Sequence, residues 1–352
     1  MPKIIAGIQQ IGIGVSNVQE AFRFYRTAFG MDIPVFEEAA QAALMLPYTG
    51  GKPRQRHAIL AINIRGGGGF EIWQYTDRVP VPAAVPIQLG DFGIFAAKLK
   101  TDNVKAAYEK FQKHKNNLIS PVATDPRGLE HFFMKDPWGN TFEIVPADDW
   151  FAKTQCPTGG PAGCLIGVRD ITRSVRFYSE ILGYDKIIYD QTGAFEDLNN
   201  LPSGNQHFRR VLLTHSQPRK GSFSRLLGNS SIELIAALDR KPVKIFENRL
   251  WGDLGFIHLC FDVNGMAEIQ KQCEEMGHPF TVDSANSFDM GEAAGHFSYI
   301  EDPDGTLIEF VETHKIPILK KIGWYLNLKN RNPEKPLPRW MLKSMSLNRV
   351  KN

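Results

Sequence analysis

The chain has 352 residues, of which 43% are hydrophobic and 22% are charged. This length predicts two or three domains with substantial cores, and the composition excludes a globally disordered protein. No apolar run reaches the ~20 residues that a membrane-spanning helix needs, and the first residues lack the apolar stretch of a signal peptide. The four cysteines show no CxxC spacing, so we expect reduced thiols in a cytoplasmic protein.

The net charge of +3 hides an uneven distribution. Residues 315–352 contain ten Lys or Arg and a single acid, so this segment carries +9 and the rest of the chain carries −6. The segment also contains Trp324, Tyr325 and Trp340, and aromatic side chains at this density are usually buried. We therefore expect a basic aromatic tail that packs on the body or on a partner subunit, and no contact with nucleic acid.

The first repeated feature is an amphipathic helix. Residues 17–32 and 170–185 share a Phe-Tyr pair, a glycine five residues after the tyrosine and an aspartate two residues after that. Apolar residues at i, i+4, i+7 and i+11 form one stripe in both stretches, and the glycine suits the end of a helix. A strand-like run precedes each helix and further strand-like runs follow it.

The second repeated feature is a turn followed by a strand. Residues 133–143 and 299–309 share the motif Asp-Pro-x-Gly-x-x-x-Glu, in which proline and glycine favour a tight turn. A strand, a helix and a strand precede each copy. The chain is therefore predicted to be an α+β protein with four strand–helix–three-strand units, and its two halves are related by duplication.

The Pro- and Gly-rich residues 154–161 interrupt the periodicity and predict a linker between the halves. The predicted organisation is an N-terminal domain over 1–153 with units 1–85 and 86–153, a C-terminal domain over 162–314 with units 162–248 and 249–314, and a tail over 315–352.

This pattern resembles the vicinal oxygen chelate superfamily, which includes glyoxalase I, extradiol dioxygenases and bleomycin-binding proteins. The resemblance covers residues from about 4 to 313 and implies tandem βαβββ units that pair into two cup-shaped mixed-sheet barrels. It also implies that each unit can offer one metal ligand from its first strand and one from its last. The positions that correspond are Gln10 and Glu71 in the first unit, Phe95 and Glu143 in the second, Gly163 and Glu233 in the third, and His258 and Glu309 in the fourth.

Several of these positions are polar residues within apolar strands. Glu309 follows Leu307 and Ile308, and His258 is flanked by Ile257 and Leu259. A buried carboxylate needs a partner, and several such residues indicate a common polar centre, for which a divalent metal is the simplest candidate. The alternative is that they are ion-paired core residues. The candidate metal ligands are His258, Glu309, Glu233, Gln10 and Glu71, and no organic cofactor is predicted.

The pairing of units decides which ligands meet. If sequential units pair, one cup contains Glu233, His258 and Glu309. If the outer units pair, their cup contains Gln10 and Glu71 with His258 and Glu309, and the inner cup is inactive. Short connections favour sequential neighbours, whereas the complete ligand set favours the outer pairing. We slightly prefer the sequential arrangement.

The outer ligand set resembles the Gln-Glu-His-Glu site of some glyoxalase I enzymes. It implies a divalent Fe, Mn, Ni or Zn ion and an enediolate intermediate, with Glu309 as catalytic base. The resemblance also leads us to expect an arginine and an asparagine for glutathione, but Gly14 and Tyr75 stand there. We therefore expect a lyase or isomerase that acts on another small molecule with adjacent oxygens, as a monomer or homodimer.

Two alternatives remain. The motif from Tyr299 to Glu309 also resembles an extradiol dioxygenase, in which Tyr299 would donate a hydrogen bond to the substrate. That reading needs a histidine at Gly163, and His296 is too close to Tyr299 to match the expected pattern. The other alternative is a protein that binds a small molecule without catalysing a reaction, like the bleomycin-binding proteins.

Overall fold

The computed structural model describes residues 2–114, 117–285, 288–289, 294–319, 323–328 and 331–350. The first two units each begin with a strand and a capped helix. Asn17 caps the first helix, because its side chain accepts hydrogen bonds from the amides of Gln19 and Glu20. The elements of these units are β1 Ile4–Gly14, α1 Val18–Phe29, β2 Ile33–Gln41, β3 Gln55–Ile62 and β4 Gly69–Tyr75, then β5 Gly93–Thr101, α2 Val104–Lys113, β6 Asn117–Leu118, β7 Ala123–Thr124, β8 Glu130–Lys135 and β9 Thr141–Pro146.

The last two units repeat this order, and the helix of the third unit is capped by Asp170. Their elements are β10 Pro161–Gly167, α3 Ile171–Glu180, β11 Lys186–Gly193, β12 Phe208–Thr214, α4 Ser224–Leu227 and β13 Ser231–Ala237, then β14 Gly255–Asn264, α5 Met266–Glu275, β15 Val282–Asp283, β16 Phe288–Asp289, β17 Ala294–Glu301 and β18 Leu307–Leu319. The tail adds β19 Trp324–Asn327 and α6 Arg339–Ser344.

The strands form two mixed sheets. The first sheet has the order β15-β17-β18-β14-β1-β4-β3-β2, with β16 beside β17 and β19 beside β18. The second sheet has the order β11-β12-β13-β10-β5-β9-β8-β6, with β7 beside β8. The fold is thus α+β, and its four units are distributed over two sheets as the resemblance implied.

The order of strands shows that the outer units share one sheet and the inner units share the other. β1 of the first unit pairs antiparallel with β14 of the fourth, and β5 of the second unit pairs with β10 of the third. The slight preference for sequential neighbours is therefore wrong. Each predicted domain contributes one unit to each sheet, and β18 continues past the predicted boundary at residue 314.

The largest apolar core contains residues from all four units and the buried faces of α1, α2, α3 and α5. Two smaller clusters contain buried residues from the individual sheets, Trp73 and Tyr299 in the first and Phe133 and Leu165 in the second. Trp73 lies two residues after Glu71 in β4 and therefore faces the same side of the first sheet, so apolar and polar side chains share its concave face.

The tail packs on the body of the same chain. Ile316, Leu337 and Leu342 belong to a buried cluster with Ile62 and Phe151. The basic segment is thus held by apolar contacts as well as by its charges. No helix among the described residues is long and apolar enough to cross a membrane.

Candidate metal centre

Side chains from four neighbouring strands converge on the concave face of the first sheet. Gly12 on β1 lies opposite His258 on β14 and opposite Glu71 on β4. Gln10 lies two residues before Gly12 and therefore faces the same side of the sheet. Glu309 comes from β18, which pairs with β14. The register thus brings together one polar side chain from each of the strands β1, β4, β14 and β18.

The polar atoms of these side chains lie close together. His258 Nε2 is 3.1 Å from Glu309 Oε2 and 3.4 Å from Glu71 Oε2. Gln10 Nε2 is 3.3 Å and 3.5 Å from the same two oxygens. Ligand atoms of Glu71, His258 and Glu309 all lie within 4.8 Å of one another. We call this group of four residues the outer site.

A glycine makes room for the histidine of the outer site. A Cβ atom placed on Gly12 would lie 2.3 Å from His258 Cε1, a distance that real side chains do not tolerate. The imidazole therefore lies directly over the backbone of β1. Trp251 lies nearly parallel to the His258 ring, with the ring centroids 6.2 Å apart. Together these contacts restrict how the imidazole can turn.

The donor set fits a divalent cation. Two carboxylates share a mostly buried site, and among the described residues no Lys or Arg forms an ion pair with either of them. Gln10 Oε1 is buried and has no hydrogen-bond partner in the described part of the chain. A half-turn of this amide would direct the oxygen towards the carboxylates. Imidazole and oxygen donors of this kind suit Ni²⁺, Zn²⁺, Mn²⁺ or Fe²⁺.

The charges of the outer site are strongly coupled. Burial alone would lower the pKa of His258, but the carboxylates of Glu309 and Glu71 outweigh it and raise the pKa to about 9. Burial likewise acts to raise the pKa of Glu309, but His258 outweighs it and the pKa is lowered. The histidine thus carries positive charge that a bound cation would replace, with loss of its proton.

Tyr299 lies beside this group. Its ring is perpendicular to that of His258, with centroids 5.5 Å apart, and the residue lies opposite Glu309 in the pairing of β17 with β18. Burial and then the carboxylates of Glu309 and Glu71 raise the pKa of Tyr299 well above its usual value. The phenol therefore keeps its proton and can act as a hydrogen-bond donor towards the outer site.

Glu233 does not belong to this group, and its inclusion with His258 is a correction to the sequence analysis. It lies in the second sheet, where the Lys98 ammonium is 2.6 Å from Glu233 Oε2 and 2.5 Å from Glu143 Oε2. Arg210 forms a further ion pair with Glu233 at 2.7 Å. The physical reason is the unit pairing, which places the third unit opposite the second rather than the fourth. A lysine ammonium thus lies between the two carboxylates of the inner cup.

The position in the second unit that matches His258 is Ala96, not Phe95. Lys98 pairs with Glu143 in the way that Cys260 pairs with Glu309, so Ala96 lies where His258 lies. The prediction of Phe95 assumed that Asp102 caps helix α2. The cap is Asn103, one residue later, so the matching position in the preceding strand also lies one residue later. The corresponding position in the first strand of the third unit is Gly163. Alanine and glycine have no side-chain atom that can bind a metal, so these two positions of the inner cup supply no ligand.

The inner cup contains a network that the sequence analysis missed. His131 lies 2.8 Å from Glu143 and 3.3 Å from Asp197, which also pairs with Arg210. With Lys98 and Glu233, three basic and three acidic side chains are buried together. Lys98 in the apolar strand β5 is the same kind of anomaly as His258, and it was the signal available in the sequence.

A cavity of about 330 Å³ opens above the outer site. Gln10, Glu71 and Glu309 line its polar part, and Trp73, Trp251, Tyr299 and many aliphatic residues form its walls. A volume of this size is sufficient for a small organic molecule. The outer site is therefore accessible to a ligand from one side.

The chain belongs to the Glyoxalase/Bleomycin resistance protein/Dioxygenase superfamily, whose sequence model matches residues 7–144 and 161–310. Among solved structures, glyoxalase I from Zea mays is 13% identical, with 88% of this chain and 92% of that chain covered and a TM-score of 0.50. A point mutant of that enzyme is 14% identical, with 88% and 94% covered and a TM-score of 0.53. A candidate dioxygenase from Bacillus subtilis subsp. subtilis str. 168 is 15% identical, with 88% and 86% covered and a TM-score of 0.55.

At these identities the structural likeness extends to the fold alone. No curated protein matches this sequence significantly. The reaction therefore has to be argued from the side chains of the outer site.

Proposed function

We propose that this protein is a metal-dependent lyase or isomerase of the glyoxalase type, which acts on a small molecule with two adjacent oxygens. The observation that carries the proposal is the convergence of Gln10, Glu71, His258 and Glu309 around one point. These four residues would hold the metal. A bound divalent ion would supply Lewis-acid polarisation of the adjacent oxygens.

Glu309 is the proposed base. Its carboxylate accepts the proton of the hydroxyl-bearing substrate carbon and delivers it to the adjacent carbonyl carbon, while the hydroxyl proton moves to the former carbonyl oxygen, so that the first carbon is oxidised and the second is reduced. The Tyr299 phenol lies opposite Glu309 and keeps its proton, and its proposed role is to donate a hydrogen bond that holds this carboxylate in position. Trp73 and Trp251 form aromatic walls in the same cavity. A positioned carboxylate base of this kind contributes about 10²- to 10⁴-fold to the rate.

Two residues on the strands of the outer site argue against glutathione as a co-substrate. A Cβ atom on Gly14 would lie 1.9 Å from the Asp253 carbonyl oxygen, so this position has no space for the expected arginine. The hydroxyl of Tyr75 donates a hydrogen bond to the carbonyl of Trp251, which fills the position where an asparagine would be expected. The proposed substrate is therefore a molecule without the tripeptide.

The experiment is proton exchange in D₂O with 2-hydroxyacetophenone as the probe. The metal-loaded protein is expected to exchange the hydrogens next to the carbonyl, as followed by NMR. Glu309→Gln should lower the exchange rate about 100-fold or more. Glu38→Gln, at the rim of the cavity, is the matched carboxylate control and should retain the rate. No exchange by the metal-loaded wild type over a panel of hydroxyketones would contradict the proposal.

A ring-cleaving dioxygenase is the second candidate, and one observation favours it. Tyr299 lies against both His258 and Glu309, as a hydrogen-bond donor near a metal-bound catechol would. The missing second histidine counts against it, because Gln10 holds the corresponding place in the outer cup and His296 bonds to Asp283 instead. Oxygen consumption with catechol by the iron-loaded protein would favour the dioxygenase. If the protein binds metal but catalyses neither reaction, the results would favour a protein that binds a small molecule without catalysis.

A further inference from the structure

The cavity above the outer site is lined mainly by apolar side chains. Of the described residues that line it, the single Lys or Arg is Arg56, and this guanidinium is already bonded to the carboxylate of Glu38 at 2.7 Å. Apart from Glu71, Glu309 and this Arg56–Glu38 pair, the polar side chains that line it are neutral glutamines, threonine and tyrosine. Such walls favour an uncharged apolar group over a carboxylate or phosphate.

The C-terminal tail forms part of these walls. Ile316 and Met345 line the cavity, although both lie beyond residue 310, where the match to the superfamily ends. Phe223, Leu226 and Leu227 meet them there, in and next to α4 of the third unit. The five side chains belong to or pack against one apolar cluster at this part of the cavity.

The tail is fixed to the body by polar contacts as well. The Leu337 amide donates to the Ser222 carbonyl at 2.9 Å, close to α4. Near the other end, Arg349 forms an ion pair with Asp32 at 3.0 Å, and the Val350 amide donates to the Asp32 carbonyl at 2.9 Å. Met345 lies between these two attachments, so it is held in the wall from both sides.

We propose that the substrate carries its two adjacent oxygens at one end of an apolar body, and that Met345 and Ile316 of the tail form the wall that limits the length of this body. The placement of the oxygens depends on the proposed function, whereas the apolar body and the tail wall do not. The tail is thus a specificity element added to the superfamily fold.

The test measures binding of 4-n-alkylcatechols, from methyl to heptyl, to the Zn²⁺-loaded and the metal-free protein. The fluorescence of Trp73 and Trp251, which line the cavity, reports binding. We expect affinity to rise about 3- to 4-fold per methylene until the chain reaches the wall, and then to stop rising. Met345→Ala should move this limit to longer chains, and Met345→Phe should move it to shorter ones.

Met341→Ala is the matched control, because Met341 packs in the same tail cluster but does not line the cavity. It should leave the limiting chain length unchanged, and circular dichroism should show that all three variants remain folded. The proposal is overturned if affinity does not depend on chain length. It is equally overturned if Met345→Ala and Met345→Phe both leave the limit where it is in the wild type.

The n-alkylbenzenes separate this proposal from the metal proposal. If the oxygens do bind at the metal, the catechols bind the Zn²⁺-loaded protein more tightly than the alkylbenzenes of equal chain length. If the metal proposal alone fails, both series bind equally with and without Zn²⁺ but retain the dependence on chain length. If the apolar-body proposal alone fails, binding depends on Zn²⁺ and not on chain length.

Discussion

The hydroxyl of Tyr25 donates a 2.6 Å hydrogen bond to the carboxylate of Asp136, and Tyr178 makes the same bond to Asp302 at 3.0 Å. Each bond joins the Phe-Tyr motif of one unit to the Asp-Pro-x-Gly motif of the next. The two motifs that revealed the repeat are therefore two halves of one contact. Because the first and second units belong to different sheets, as do the third and fourth, these contacts fasten the two sheets together.

Removing these hydroxyls should destabilise the protein without affecting the outer site. Tyr25→Phe and Tyr178→Phe each leave a buried carboxylate with one donor fewer, which should lower the free energy of unfolding by about 1–3 kcal/mol. Urea unfolding measures the change. Tyr108→Phe is the control, because the ring of Tyr108 packs edge-on against Phe132. This substitution should lower the free energy of unfolding by a smaller amount. An unchanged unfolding midpoint in both motif variants would show that the contact does not stabilise the fold.

The inner cup should make stability fall at alkaline pH. Burial alone would lower the pKa of His131, but Asp197 and Glu143 outweigh it and raise the pKa to about 9. The folded chain therefore holds this proton more tightly than the unfolded chain, whose histidine titrates near ~6.5. The stabilisation is fully present below that value and is lost as the pH rises through about 9.

The size of this effect is at most about 3 kcal/mol. It is measured as the difference in unfolding free energy between metal-loaded wild type and His131→Gln at several values from pH 6 to pH 10. The difference should shrink as the pH rises. A difference that is constant over this range would mean that His131 does not carry a proton in the folded protein.

Lys98 should be required for folding and irrelevant to metal binding. Lys98→Met leaves Glu143 and Glu233 without their shared ammonium, and such a loss costs about 3–5 kcal/mol. The double variant with Glu233→Gln removes one of the charges and should recover part of the loss. Both proteins, where folded, should bind as much metal per chain as the wild type. A fall in metal content at unchanged folding would place the metal in the inner cup.

Gly12 should control the geometry of the outer site. Its replacement by alanine forces the His258 ring to move, and metal affinity should fall about 10- to 100-fold, as it does when a ligand loses its positioning. The control is the pair His258→Ala and Gly12→Ala/His258→Ala. If Gly12 acts through His258, Gly12→Ala should lower the metal affinity little further in the His258→Ala background. An equal loss of metal affinity on Gly12→Ala with and without His258 would contradict this.

The fold could be read from the sequence because its evidence is local. Helix stripes and turn motifs lie within short windows, and the apolar strands around His258 and Glu309 marked these two residues. The pairing of units could not be read in the same way. It depends on contact between β1 and β14, which are far apart in the sequence. Short connections did not predict this contact, because the first unit meets the second through Tyr25 and Asp136 and does not share a sheet with it.

Other parts of the sites were hidden for different physical reasons. Because α2 is capped by Asn103 and not by Asp102, the candidate ligand position in the second unit is Ala96 and not the predicted Phe95. Lys98 stood out as a lysine in an apolar strand, but its partners Glu143 and Glu233 come from strands that are distant in the sequence, so its role could not be predicted. The composition of the tail indicated burial, but the contact of Met345 with the cavity follows from the path of the chain.

The central claim is that the outer site, and not the inner cup, binds a divalent metal. The most direct test is elemental analysis of the wild type, Glu71→Gln and Glu233→Gln after loading with Zn²⁺, Ni²⁺, Mn²⁺ or Fe²⁺ and removal of the excess. We predict one bound ion per chain in the wild type and in Glu233→Gln, and a large loss in Glu71→Gln. Loss of metal in Glu233→Gln with retention in Glu71→Gln, or a wild type that binds none of these ions, would contradict the claim.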